Sequence, residues 1–485
     1  MDATTHNGPL RGVDDIDWRA LAPTRGEEIP ALLRDIAAGD GTTTGPGESL
    51  STLYDIVRFP GPGYPAAPAV AGFLIDIACA PSTPSPVRWR PLSLLLELLV
   101  PAAPALVPHR IDVAQWSDEV AWAAATDLDK VREQYAAWLR EAPDEQQYRR
   151  MRHRFDAISR DNGPALLQAE LAVHDTVRER VEDLLGLLDG ESNRRGLEAP
   201  AEWASYVLAF VPEAAEGVRT RLEKALSPLT APSAPALPGS SPSGPGVISA
   251  ELFALGMLAP ADDPSVTVTL THAMGSGHLY NAFAAAVAMA TVHGEKTPGE
   301  ALERIAEGGR TRMGYHGLFG DSWPHCGRIE PEVLGFLALG RGGTTTTATR
   351  LELLPDVLAH SEGDSRAVVV GAALEMAFGP RAQHAGDGEE SRDESADLSE
   401  EQLRVLWAIA EIPAAAWEDS ELVDTLEAWD LPSGRADFLA FAGVEDDTEE
   451  PTEGEAEEPR PSPSGPAAPS GGGLLRRLFG GDSAR

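Results

Sequence analysis

The sequence predicts an all-α fold in which helices stack in pairs. Three observations point there. Apolar residues recur at i, i+3, i+4 and i+7, the stripe of a helix that buries one face. The stripes alternate at a constant distance: Val70 follows Ile29 by 41 residues, and Leu92 follows Leu50 by 42. Strand-type alternation is nearly absent, with SVTVTL (Ser265 to Leu270) the one short candidate. A spacing near 41 residues lies at the edge of the roughly 40–47-residue period of HEAT and armadillo helix repeats. A narrow stripe cannot be buried alone, so successive pairs would stack into a solenoid.

Four N-terminal segments set the template. They are Ile29, Leu32, Leu33 and Ile36; Leu50, Leu53, Tyr54 and Val57; Val70, Phe73, Leu74 and Ile77; and Leu92, Leu95, Leu96 and Leu99. Trp203, Tyr206, Val207 and Phe210 repeat it. Leu279, Ala282, Phe283 and Ala286 repeat it with small residues, which suit close helix packing. Two starts carry capping signals. Thr297, Pro298 and Glu300 read as a capping box with proline at the first helical position. Ser399 and Gln402 read as a second box, ahead of Leu403, Leu406, Trp407 and Ala410.

At 485 residues the chain is long for one compact core. Its organisation reads as a disordered start (1–14), a helical-repeat region (15–226), a connector (227–246), a second helical-repeat region (247–443) and a tail (444–485). The connector, SPLTAPSAPALPGSSPSGPG, is too rich in Pro, Ser and Gly for a helix. An acidic insert falls at about 382–398.

Much of the net charge of −37 falls in two runs. GDGEESRDESADLSE holds seven carboxylates and one arginine, and EDDTEEPTEGEAEEP holds nine carboxylates and no cation. Such runs repel themselves and stay solvated. The charge argues against general nucleic-acid binding, which needs Lys and Arg on phosphates. Two cysteines, Cys79 and Cys326, exclude a disulfide framework. The first residues, MDATTHNGPLRGVDDIDW, lack the basic-then-apolar pattern of a signal peptide, and no apolar run is long enough to span a bilayer. A cytoplasmic monomer with no membrane contact is expected.

Three pieces of the chain resemble a known group. They are IDWRALAPTRGEEIPALLRDIAAGD followed by LYDIVRFPGPGYPAAPAVAGFLIDIA; EWASYVLAFVPEAAEGVRTRLEKAL; and LRVLWAIAEIPAAAWEDSELVDTLEAWDLPSGRADFLAF. Together they span about Asp17 to Gly443 and are similar to actinobacterial HEAT-repeat-like proteins of undefined biochemical role. The resemblance implies the solenoid fold and no particular activity, because these are packing motifs. Where relatives tend to carry a histidine-glutamine loop before a tyrosine, this chain has Phe59-Pro60-Gly61-Pro62.

Chemistry-bearing residues are few. YHGLFGDSWPHC (Tyr315 to Cys326) concentrates His316, Asp321, His325 and Cys326, with His272 and His278 upstream as further zinc ligands. Its histidines lie nine apart, outside the H-x₃₋₅-H spacing of zinc sites, so an inter-helix loop covered by Phe319 and Trp323 fits better. AMGSGH lacks the nucleophile-elbow spacing, no P-loop is present, and RGGTTTTATR reads as a turn into a helix. No pair of carboxylates stands out on an apolar face. No cofactor is expected.

Two surface features remain. YRRMRHRF (Tyr148 to Phe155) carries Arg149, Arg150, Arg152 and Arg154, the best argument for a nucleic-acid groove; the alternative is pairing with carboxylates such as Glu133, Glu141 and Glu145. At the far end, Leu474, Leu475, Leu478 and Phe479 form an amphipathic hook that could dock on a partner. The leading expectation is a non-enzymatic protein-binding scaffold. The alternatives are a nucleic-acid binder using Arg149 to Arg160, and an enzyme with a site near His316 to Cys326.

Overall fold

A computed structural model of the chain describes residues 8–39, 46–84, 87–101, 110–189, 200–230, 248–310, 330–381 and 398–444. These residues form an all-α protein, with no strand among them. The helices, in order, are α1 (Trp18–Leu21), α2 (Ile29–Ala38), α3 (Pro46–Val57), α4 (Ala67–Cys79) and α5 (Trp89–Leu99). Next come α6 (Val113–Ala125), α7 (Leu128–Arg140), α8 (Glu145–Ile158), α9 (Gly163–Glu179), α10 (Val181–Leu187), α11 (Pro200–Leu208) and α12 (Ala215–Thr230). The rest are α13 (Ser249–Leu258), α14 (Pro264–Met274), α15 (Leu279–His293), α16 (Gly299–Arg310) and α17 (Pro331–Gly340). They continue with α18 (Thr347–His360), α19 (Gly363–Phe378), α20 (Glu400–Ala410), α21 (Ser420–Ala428) and α22 (Arg435–Ala442).

The four N-terminal stripes fall on helices and face inward, whereas Leu279 and Trp407 of the later stripes are exposed. Ile29, Leu33 and Ile36 are buried on α2, and Val70, Phe73, Leu74 and Ile77 on α4. The Ser399 box forms as expected: the Ser399 hydroxyl accepts from Gln402 N–H, and Gln402 Oε1 accepts from Ser399 N–H.

From α11 onward, each helix except α14 packs against the one two places ahead. The row α5, α11, α13, α15, α17, α19, α21 is continuous. Beside it α12 packs on α14, and α16, α18, α20 and α22 follow one another. The middle of the first row, α13, α15 and α17, is enclosed on several sides, so these helices are apolar nearly all round rather than striped. Every residue of α13 is buried. Gly256 permits its approach to α15: a Cβ there would lie 2.6 Å from the Ala288 Cβ.

Four local expectations change. SVTVTL is helical, because Asp263 accepts from Ser265 and Val266 N–H and Pro264 opens α14. Val266, Leu270 and Ala273 then meet the core at helical spacing. Thr297 does not cap α16; its hydroxyl donates to the Gly294 carbonyl, and the Pro298 carbonyl accepts from Ala301 and Leu302. Four residues of the connector, Ser227 to Thr230, belong to α12. Val13, placed in a disordered start, is buried, and its carbonyl accepts from Trp18 Nε1 at 2.7 Å.

Helix α8 brings distant parts of the chain together. α8 packs on α7 and α9 and also reaches α19. There Glu145 N–H donates to Glu375 Oε2 (3.2 Å), Trp429 Nε1 donates to Glu145 Oε2 (3.3 Å), and Arg381 lies over the Tyr148 ring. This clasp joins the middle of the chain to its C-terminal helices. No described helix is long and apolar enough to cross a membrane.

Candidate functional site

A cleft of about 250 Å³ opens between α5, α6, α8 and α9. Leu99 and Val100 line it from α5 and the residue that follows. Trp116 comes from α6, Arg150, His153 and Arg154 from successive turns of α8, and Glu170 from α9. Arg110 and Asp144 stand at its polar side.

The arginines of α8 divide between two faces, as their spacing of three and four dictates. Arg150 and Arg154 face Glu119 of α6. Arg154 forms a close ion pair with it, and Arg150 Nη2 lies 3.9 Å away. Tyr135 of α7 donates to the other Glu119 oxygen at 2.7 Å. Arg149 and Arg152 face the other way. Arg149 pairs with Glu145 at 2.7 Å and donates to the Ala367 carbonyl, and Arg152 bridges Asp156 (3.1 Å) and Asp424 (2.5 Å). Each of the four therefore has a carboxylate of its own chain. The side chains of Arg149, Arg150 and Arg154 are only 12%, 15% and 6% exposed, a poor arrangement for gripping phosphates.

Two cleft side chains keep polar atoms unused. Trp116 is 4% and Glu170 6% exposed. The Trp116 Nε1 and the Glu170 Oε2 have no hydrogen-bond partner among the described residues, nor does Arg150 Nη2. The second Glu170 oxygen lies 3.2 Å from His153 Nε2. Burial pushes the Glu170 carboxyl up, but His153, Arg154 and Arg150 outweigh it, and the net direction is down, so it stays ionised. Burial pulls the Arg150 guanidinium down, and neighbouring Arg154 adds to this. The Phe59 ring stacks on His153 with centroids 4.3 Å apart. The loop that departs from the resemblance thus forms part of the wall behind the cleft.

A second polar feature runs along the first helix row. Glu202, Glu251, Asn281, Glu332 and Ser365 occupy the second or third position of α11, α13, α15, α17 and α19, and all are buried. Asn281 Oδ1 accepts from Ile248 N–H at the start of α13. Burial, with Glu251 nearby, raises the Glu202 carboxyl well above the ordinary range. The expectation that no carboxylate pair lies among apolar groups is therefore corrected. In sequence both acids look like ordinary first-turn carboxylates.

Other residues singled out from the sequence play no part in the cleft. His278 precedes α15, half-buried, with its ring 5.9 Å from that of Tyr280. His272 is exposed in the last turn of α14. His316, Asp321, His325 and Cys326 lie outside the described residues, as do Leu474, Leu475, Leu478 and Phe479. No group of three or more His, Cys, Asp or Glu among the described residues is placed to hold a metal ion. Trp116, Glu119, Tyr135 and Glu170 were not singled out from the sequence. The only signal for them was indirect: an arginine-rich helix in an acidic chain needs acidic neighbours. A scan against protein-family models and searches among curated proteins and solved structures found no match.

Proposed function

We propose that the chain is a HEAT-like, armadillo-like solenoid that serves as a protein-binding scaffold. The observation that carries this reading is the continuous stacking of α5, α11, α13, α15, α17, α19 and α21, each on the one before. The recurring buried polar position from Glu202 to Ser365 supports a repeated unit. Stacks of this kind offer extended surfaces for other proteins. Support for a binding surface comes from α20 and α22. Trp407 is 45% exposed and Phe441 36%, although both are large and apolar. Exposed aromatics of this kind often anchor partners.

The test is affinity capture from native lysate by the full chain, by Trp407→Ala and by Phe441→Ala. A partner recovered by the wild type, lost with either variant and re-formed from purified components supports the reading. Identical recovery by all three, or no stoichiometric complex from purified components, overturns it.

A further inference from the structure

We propose that the cleft between α6, α8 and α9 binds a small zwitterion of amino-acid size, its carboxylate on Arg150 and the Trp116 N–H and its ammonium on Glu170. This stands apart from the scaffold reading and does not depend on it.

The argument begins with unused hydrogen-bonding capacity. Trp116 Nε1 is a donor without an acceptor among the described residues, Glu170 Oε2 is an acceptor without a donor, and Arg150 Nη2 meets only Glu119 at 3.9 Å, beyond hydrogen-bond distance. All three residues line one cleft. Buried polar atoms are ordinarily paired, so a cleft that leaves both kinds open matches a ligand carrying both kinds.

Charge narrows the class. The cleft holds Arg110, Arg150 and Arg154 against Asp144 and Glu170, with Glu119 behind the two α8 arginines. These charges balance, so a multiply charged phosphate would meet three carboxylates and a simple cation would meet three guanidinium groups. A molecule of opposite charges at its two ends suits the site better. Volume narrows it further: about 250 Å³ lies just below the roughly 300–1,000 Å³ of pockets for drug-sized ligands. That admits an amino acid and excludes a folded segment. Arginine and an indole N–H suit a carboxylate, and an ionised buried carboxylate suits an ammonium.

The experiment is ligand-observed NMR on the full chain with each of the common L-amino acids, followed by calorimetric titration of any that bind. The expected result is saturable binding by at least one. Its N-acetyl form, lacking the ammonium, and its amide form, lacking the carboxylate, should each bind about tenfold more weakly or worse. Glu170→Gln should weaken binding by a similar factor, while Arg304→Ala, in an exposed pair on α16, should leave it unchanged. Trp116→Phe provides a second variant if Glu170→Gln fails to fold. The derivative series needs no variant at all. No saturable binding up to about 10 mM overturns the proposal, and so does binding of the acetyl or the amide form as tight as that of the parent amino acid.

Discussion

Glu145 lies against Gly371, and its carboxylate fills the space that a side chain at position 371 would need. A Cβ there would overlap Oε1, Cδ and Cγ of Glu145 together. Since Arg149 and Trp429 hold that carboxylate, it cannot simply swing aside. The clasp between α8 and α19 therefore depends on a glycine within a helix.

Replacing Gly371 with alanine should destabilise the protein by about 1–3 kcal/mol through overpacking, although alanine is the better helix former by about 1 kcal/mol. Asp424→Ala, at the half-exposed rim of the same contact, should cost less than about 1 kcal/mol. Urea unfolding measures both. Hydrogen exchange along Glu145–Ile158 should quicken in the first variant only.

Glu119 holds a buried arginine. Removing it by Glu119→Ala leaves Arg154 unpaired and should cost about 3–5 kcal/mol. Tyr135→Phe removes one hydrogen bond to the same carboxylate and should cost about 2 kcal/mol. Comparable losses in the two variants would show that Arg154 finds another partner.

Stability should depend on pH through Glu330. Burial pushes its carboxyl up from 4.5 to about 7. A raised folded value means the folded protein holds the proton more tightly than the unfolded chain. The contribution is therefore complete below about pH 4.5 and falls as pH rises through about 7. The loss is ~3 kcal/mol by pH 8. Unfolding curves at pH 5 and 8 should show this fall in the wild type and a smaller one in Glu330→Gln. Equal slopes would refute it.

The capping box at α20 gives a local test. Ser399→Ala should lower stability by about 1 kcal/mol, with the loss shown by thermal melting.

What was legible in the sequence was what depends on local pattern. The stripes of α2 to α5 and the Ser399 box are set by residues within a few positions of each other, and each forms. SVTVTL misleads because Thr and Val favour strands, yet the Asp263 cap and the burial of Val266 and Leu270 decide for helix. The cleft was not legible. Its Trp116, Arg150 and Glu170 lie on three helices, and no spacing in one segment relates them. The arginines of α8 were visible, but their division between Glu119 on one side and Asp424 on the other depends on packing between helices.

The clasp also constrains the order in which the chain can mature. Glu145 meets Trp429, 284 positions later, so α8 lacks that partner while the intervening helices are still being made. At about 5–20 residues per second, that interval lasts roughly 15 to 60 seconds. During it Glu145 and Arg149 have each other but not Trp429 or the Ala367 carbonyl. Glu145 is 3% exposed in the finished fold, so a truncated chain ending before α21 would leave this buried acid without the indole that covers it.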